Sequence, residues 1–184
     1  RRIPRCAGAV SRTLTVTVSS AALRNGWHAW RWYLLALVMV LLDQYTKTLA
    51  TESLVYARPV EVFSWFNLTL QHNTGAAFSF LSDAGGWQRW FFTVVAVVIS
   101  GVLTVWLFMA PRAHWLLGLS LALILGGAIG NVWDRVALGY VVDFISVHYQ
   151  GWYFPAFNIA DSAITVGAIC MLLDSFFNRH SEQA

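Results

Sequence analysis

Four stretches of the chain stay apolar for about 20 residues each, the length a helix needs to cross the hydrocarbon core of a bilayer. They run from Trp30 to Leu49, Trp87 to Met109, His114 to Trp133 and Asn158 to Phe177. In lipid, the backbone must satisfy its own N–H and C=O groups, so such segments fold as helices. Composition agrees with this choice of solvent. The chain is 58% hydrophobic and 11% charged, whereas soluble domains run at roughly half apolar and a quarter charged. Ten Trp and six Tyr supply the amphipathic rings that favour the membrane–water boundary. The expected fold is an all-α membrane protein, a four-transmembrane-helix bundle.

An even number of spans puts both termini on one side. Arg1, Arg2, Arg5, Arg12, Arg24 and Arg31 precede or open the first span, Arg112 lies in the Ala110–Ala113 turn, and Arg179 follows the last span. The other side carries Lys47, Arg58, Arg89 and Arg135. The bias predicts cytoplasmic termini and two outward connections, 50–86 and 134–157. Residues 1–29 are expected to be a disordered cytoplasmic tail, 30–177 a single domain, and 178–184 a short cytoplasmic tail. Residues 1–26 are rich in Arg, Ser and Thr without a long apolar core, so they do not read as a signal peptide. They are either such a tail or sequence upstream of a natural start.

The outer connections are too long for plain turns. Phe66-Asn67-Leu68-Thr69-Leu70-Gln71 alternates apolar and polar residues, as do Val60 and Val62, which predicts a small extracytoplasmic sheet and loop subdomain on the bundle. The stretch His148 to Pro155 is aromatic and suits the interface. A net charge of +3 is too small to point to nucleic acid. Cys6 and Cys170 form no CxxC or Cys/His pattern, so neither a disulfide framework nor a zinc site is expected.

Acids near a membrane span need a reason, because Asp at a helix centre costs about 2.5–3.5 kcal/mol on insertion scales. Asp43, Glu52, Glu61, Asp83, Asp134, Asp143 and Asp161 all fall towards the outer side. Structural explanations exist for several. Asp43 and Lys47 are spaced i,i+4 as an ion pair would be. Asp134, with Arg135 and Asn131, suits a polar knot ending the third helix. Asn158 could cap the fourth helix and Asp161 could face its N-terminal dipole. Asp143, placed in the outer loop, interrupts the apolar run Tyr140 to Ile145. Asp174, near the cytoplasmic end of the fourth helix, is explained by the interface alone.

The chain has no HExxH, no clustered His and no GxSxG, which leaves metal and serine-elbow chemistry without support. A Ser–Lys pair would need Lys47, the chain's one lysine, beside a serine such as Ser79. Two carboxylates at low dielectric fit better. They cannot both ionise at close range, so one holds a proton while the other can take one from water. A small proton-coupled transporter or channel, or a scaffold using the polar knot for assembly, are the competing classes; a relay would want acids at several depths.

Four blocks then carry a specific resemblance. Asp43-Gln44-Tyr45-Thr46-Lys47, Asn73-Thr74-Gly75-Ala76-Ala77-Phe78-Ser79, Gly126 to Arg135, and Val141-Val142-Asp143-Phe144 with Phe157-Asn158-Ile159-Ala160-Asp161 resemble the lipoprotein signal peptidase (signal peptidase II) family, in family order over residues 30–177. The resemblance implies an aspartyl endopeptidase of the bacterial inner membrane that cuts diacylglyceryl-modified prolipoproteins just before the lipidated Cys. It implies Asp143 and Asp161 as the catalytic pair, with Asp43, Lys47, Asn73, Asn131, Asp134, Arg135 and Asn158 in binding or supporting roles; Gly127, in the glycine-rich run Gly126 to Gly130, permits close approach of a helix or of substrate. It implies no metal or organic cofactor. The expected partners are lipidated prolipoproteins and membrane lipids, no nucleic acid is expected, and the chain is expected to act as a monomer with its site at the outer face.

Overall fold

The computed structural model describes residues 20–75, 86–111 and 114–181. Its elements, in chain order, are α1 (Ser20–Ser53), β1 (Val60–Phe63), β2 (Phe66–Asn73), α2 (Trp87–Met109), α3 (Trp115–Ala137), β3 (Val141–Tyr149), β4 (Trp152–Tyr153) and α4 (Ile159–Ser181). All four helices are long and apolar enough to span a bilayer. Leu and Val side chains along α1, α2 and α4 lie exposed on the bundle's outside, among them Leu37, Leu41, Val94, Val98, Val102, Val105 and Leu172. A surface of that kind is stable against lipid rather than water.

Three helices run past the hydropathic stretches. α1 continues to Ser53, α3 to Ala137 and α4 to Ser181. Hydropathy marks only the part of a helix that lies in hydrocarbon, and polar turns extend it beyond. α1 also begins ten residues before Trp30, so residues 20–29, expected as part of the tail, are helical. The local sequence Ser20-Ala21-Ala22-Leu23-Arg24 holds good helix formers, and the lone Gly26 costs only about 1 kcal/mol. Residues 1–19, the Arg112–Ala113 half of the α2–α3 turn and residues 76–85, with Ser79 and Asp83, lie outside the described residues.

The second difference concerns Asp143. It sits on a strand, β3, rather than in a loop. Val141 to Phe144 are all buried, and a strand covered on both faces shows no alternation to announce it. β1, β2, β3 and β4 form one antiparallel sheet in that order. In β2 the polar Asn67 and Thr69 are buried and Phe66 and Leu68 half-buried, but Leu70 is buried and Gln71 exposed, so burial stops alternating after Thr69. Val60, Phe63, Trp65 and Trp152 stay exposed, as suits a sheet lying at a bilayer surface.

α3 is the centre of the bundle and packs against each of the other helices. Its buried side chains are mostly small, including Gly126, Gly127, Ala128 and Gly130. At Gly127 a Cβ would stand 2.4 Å from the Ala160 carbonyl oxygen and 2.8 Å from Ile164 of α4. That close approach brings the start of α4 against the outer end of α3. Gly127 therefore acts in helix packing, two turns from Asp134 along α3. We expect Gly127→Val to lower stability by about 1–3 kcal/mol through overpacking. Gly101→Ala, where a Cβ meets nothing within 4 Å, is expected to leave the melting temperature unchanged or raise it. Melting of the two variants in detergent micelles checks both.

Candidate active site

The site forms where the outer ends of α1 and α3, the start of α4 and the strands β2 and β3 meet. Its foundation is Lys47, which is almost wholly buried. An isolated buried ammonium is costly, so all three of its protons must find acceptors. Nζ lies 2.8 Å from Asp43 Oδ2 and 2.9 Å from Asp134 Oδ2, and donates to Asn131 Oδ1 at 3.0 Å. The carboxylates have further donors. Asp43 Oδ1 accepts the Ala160 N–H at 2.9 Å, in the first turn of α4, where a negative charge also meets the positive end of the helix dipole. Asp134 Oδ2 accepts the Val142 N–H of β3 at 3.1 Å. Gln44 Nε2 donates to Asp134 Oδ1 at 2.8 Å and contacts the Gly130 carbonyl at 3.2 Å. The expected ion pair and the expected polar knot are thus one network that ties α1, α3, β3 and α4 together.

Asn131 and Asn158 connect that network to the other two acids. Lys47 fixes Asn131 with its oxygen inward, so its Nδ2 donates to Asp161 Oδ1 at 2.8 Å. Asn158 caps α4. Its Oδ1 accepts the Asp161 N–H at 2.9 Å, and the Asp161 carboxylate receives the Asn158 N–H at 3.4 Å, a reciprocal capping box. The same Asn158 donates through Nδ2 to Asp143 Oδ1 at 2.7 Å. One side-chain amide therefore touches both Asp143 and the backbone of Asp161. Asn73 donates to Asp143 Oδ2 at 3.0 Å while its own oxygen accepts the Gly75 N–H at 3.0 Å. The Asn73-Thr74-Gly75 segment thus presents Asn73 to the Asp143 carboxylate.

A bulge in β3 lies next to Asp143. The N–H groups of Phe144 and Ile145 both point to the Phe157 carbonyl oxygen, at 3.1 and 2.8 Å. Two consecutive donors on one acceptor insert an extra residue and bend the strand, a device that re-aims a neighbouring side chain. Asp143 and Asp161 share a cavity of about 640 Å³ with Asn73, Asn131, Arg135, Phe154 and residues of α4 down to Val166. Arg135 reaches across it, donating from Nη2 to the Gly75 carbonyl at 3.0 Å and from Nη1 to the Asn131 carbonyl at 3.4 Å.

Burial, and next to it the charge of Asp161, push the Asp143 carboxyl up to about 7. Asp143 is thus about half protonated near neutral pH and holds its proton in mildly acidic medium. The folded protein binds a proton that the unfolded chain, at 3.8, has released. That contribution to stability is complete below about 4 and is lost as pH rises through about 7.

Every predicted site residue except Gly127 belongs to this cluster. Two residues outside the prediction also hold it. Gln44 stood in a quoted motif, but only the fold reveals its reach to Asp134. Arg89, on the first turn of α2, donates to the Arg135 carbonyl at 2.6 Å and the Val136 carbonyl at 2.9 Å. It closes the C-terminal end of α3, and no spacing rule links residues so far apart. Among the described residues no group of His, Cys, Asp and Glu is arranged to hold a metal ion.

We expect Lys47→Met to destabilise the protein by about 3–5 kcal/mol, because Asp43 and Asp134 would face each other without a cation. Adding Asp43→Asn should recover part of the loss, as measured by melting in detergent. Full stability of the single variant would show that the lysine network is dispensable.

The matches to known proteins cover this same region. The family model for Signal peptidase (SPase) II matches residues 35–177. A lipoprotein signal peptidase of Acinetobacter baumannii is 57% identical over 146 residues, 79% of this chain and 83% of that relative. One from Teredinibacter turnerae is 54% identical over 149 residues, 81% and 89% of the two chains. One from Pseudomonas putida is 54% identical over 164 residues, 88% and 95%. Among solved structures, a bacterial membrane enzyme determined by the in meso method at 2.3 Å superposes with a TM-score of 0.74 at 31% identity, covering 84% of this chain and 92% of that one.

Proposed function

We propose, from the premise that this chain belongs to the signal peptidase II family, that it cleaves by an aspartyl dyad made of Asp143 and Asp161. As a family member it is a multi-pass membrane protease that removes signal peptides from prolipoproteins, and the transporter alternative falls away. The observation that carries the dyad is the placement of both carboxylates in one cavity, on the two sides of the Asn158 amide.

The two acids have different neighbours, which supports different roles. Asp143 is buried and its affinity for a proton is raised by Asp161, so it is the protonated member. Its acidic proton polarises the scissile carbonyl and passes to that oxygen as the tetrahedral adduct forms. Asp161, held by Asn131 and the capping box, takes a proton from the attacking water. It then returns that proton to the departing amine as the C–N bond breaks, and Asp143 recovers its own as the carbonyl re-forms. Arg135, close to both acids, keeps the site's negative charge in check and presents a cation to the adduct. No metal or organic cofactor enters this scheme.

The cavity's lower wall, with Ile164, Thr165 and Val166 on α4, is apolar and lies in the span. A diacylglyceryl group attached to the substrate Cys would enter from the bilayer along that wall. The charge bias supports cytoplasmic termini, a site on the outer face of the inner membrane, and contact with membrane lipids. Action as a monomer is part of the same proposal.

Asp143→Asn and Asp161→Asn are each expected to fold and to lose about 10²–10⁴-fold in cleavage of a lipidated prolipoprotein. Wild-type-like cleavage by either folded variant would remove that residue from the dyad. Because Asp143 must be protonated, kcat/KM should fall on the alkaline side with an apparent pKa near the 7 of the free enzyme. A rate that keeps rising well past that point would reverse the roles of the two acids.

A further inference from the structure

Among the described residues no strand covers the outer edge of β2 at His72, a residue that lines the active-site cavity. β2 and β3 pair antiparallel, with Gln71 opposite Asp143, His72 opposite Val142 and Asn73 opposite Val141. In such a ladder, opposed residues alternate between pairs that exchange hydrogen bonds and pairs that do not. Val142 uses its N–H on Asp134 Oδ2 and its C=O on Asn158 Nδ2. Both of its backbone groups thus face away from β2, so the His72–Val142 pair does not exchange hydrogen bonds. It follows that the N–H and C=O of His72 face away from β3. Leu70, two residues earlier and in the same phase, shows the direction: its carbonyl accepts the Ala57 N–H on that side at 3.0 Å.

Past Leu70 no strand among the described residues pairs on that side. β1 covers only Phe66 to Leu68, and Tyr56 bridges only Leu70. Among the described residues no strand pairs with the outer edge at His72, which is itself exposed. Gln71, His72 and Asn73 all line the cavity with Asp143 and Asp161. The position is also fixed, since the imidazole stacks on Tyr140 at 4.0 Å and lies 4.8 Å from the Tyr56 ring. Meanwhile the amides nearest the carboxylates, on Asn73, Asn131 and Asn158, are engaged internally.

We propose that this edge receives the prolipoprotein backbone as an added strand, with His72 N–H and C=O pairing with one extended residue a few positions from the scissile bond. The inference rests on the peptidase reading and names how that site holds its substrate. An unpaired donor and acceptor on a strand edge form a template for an extended chain. His72 is one residue along β2 from the position opposite Asp143, about 3.4 Å, and an added strand lies two inter-strand spacings from β3, about 10 Å, so the paired substrate residue lies about three residues of extended chain from the cut. Main-chain pairing also ignores side-chain identity, leaving sequence preference to the cavity walls.

The test uses the full-length chain in detergent and a synthetic signal peptide carrying a diacylglyceryl-Cys. In a substrate series, each amide near the cut except the scissile one is replaced in turn by an ester, which removes one N–H donor with little change of shape. In the enzyme, His72→Pro removes the outward N–H without touching the ladder bonds of Gln71 and Asn73, and His72→Val serves as the reference for loss of the imidazole. The expected result is one ester position whose KM rises about three- to tenfold, the net worth of one hydrogen bond. His72→Pro should raise KM by a similar factor over His72→Val, with kcat little changed. Equal KM for the two variants, or esters cleaved as well as amides at every position, overturns the pairing. If His72→Pro fails to fold, the ester series on the wild-type enzyme decides alone. Failure of the wild-type enzyme to cleave the all-amide lipopeptide overturns the peptidase reading and the pairing with it. Cleavage of that peptide with a flat ester series overturns the pairing only.

Discussion

A buried ammonium with three acceptors holds this site together. Lys47 cannot sit at the outer end of α1 without carboxylates around it, and Asp43 and Asp134 cannot sit so deep without a cation between them. Once the three are assembled, the remaining geometry follows. Asp43 draws in the first turn of α4 through Ala160, Asp134 fixes β3 through Val142, and Lys47 orients Asn131. Asn131 and Asn158 then place Asp161 and Asp143. The proposed catalytic pair is therefore the outer layer of a polar core whose inner layer is structural. The same network explains why α3 carries small residues where it meets α4: the helices must come close for short Asp and Asn side chains to span them.

The bundle was legible because lipid imposes length and apolarity on any helix that crosses it. Helix ends were not, since turns such as Thr51-Glu52-Ser53 leave the hydrocarbon and carry no hydropathic signal. β2 showed through its alternation at Phe66 to Gln71, although burial does not follow that alternation: Asn67, Thr69 and Leu70 are buried and Gln71 is exposed. β3 hid inside the run Tyr140 to Ile145, because a strand covered on both faces reads as an uninterrupted apolar segment. The acids of the site could be found by their expense in a membrane, and the motif resemblance separated Asp143 and Asp161 from Asp43 and Asp134. Gln44 and Arg89 could not be found in this way: their partners lie on other elements, and nothing local marks them.

The arrangement also separates stability from chemistry. Asp43 and Asp134 share one cation, Lys47, and each accepts a backbone N–H, which suits a structural role. Asp143 has amide donors and a nearby like charge, which suits a group that exchanges a proton. The β3 bulge at Phe144–Ile145 and the capping box at Asn158–Asp161 direct these two side chains into one cavity from different elements. Holding each carboxylate on a rigid element, with the amide of Asn158 between them, supplies the preorganisation that general acid–base catalysis requires.

The central claim is that the resting dyad holds a proton on Asp143. Infrared difference spectroscopy on the detergent-solubilised protein, with the Asp143→Asn variant as the reference, reads that proton directly. The account predicts a protonated-carboxyl carbonyl stretch in mildly acidic buffer that fades as pH rises through about 7 and is missing from the variant. A spectrum with no such band in mildly acidic buffer, or one that survives the substitution unchanged, would contradict it.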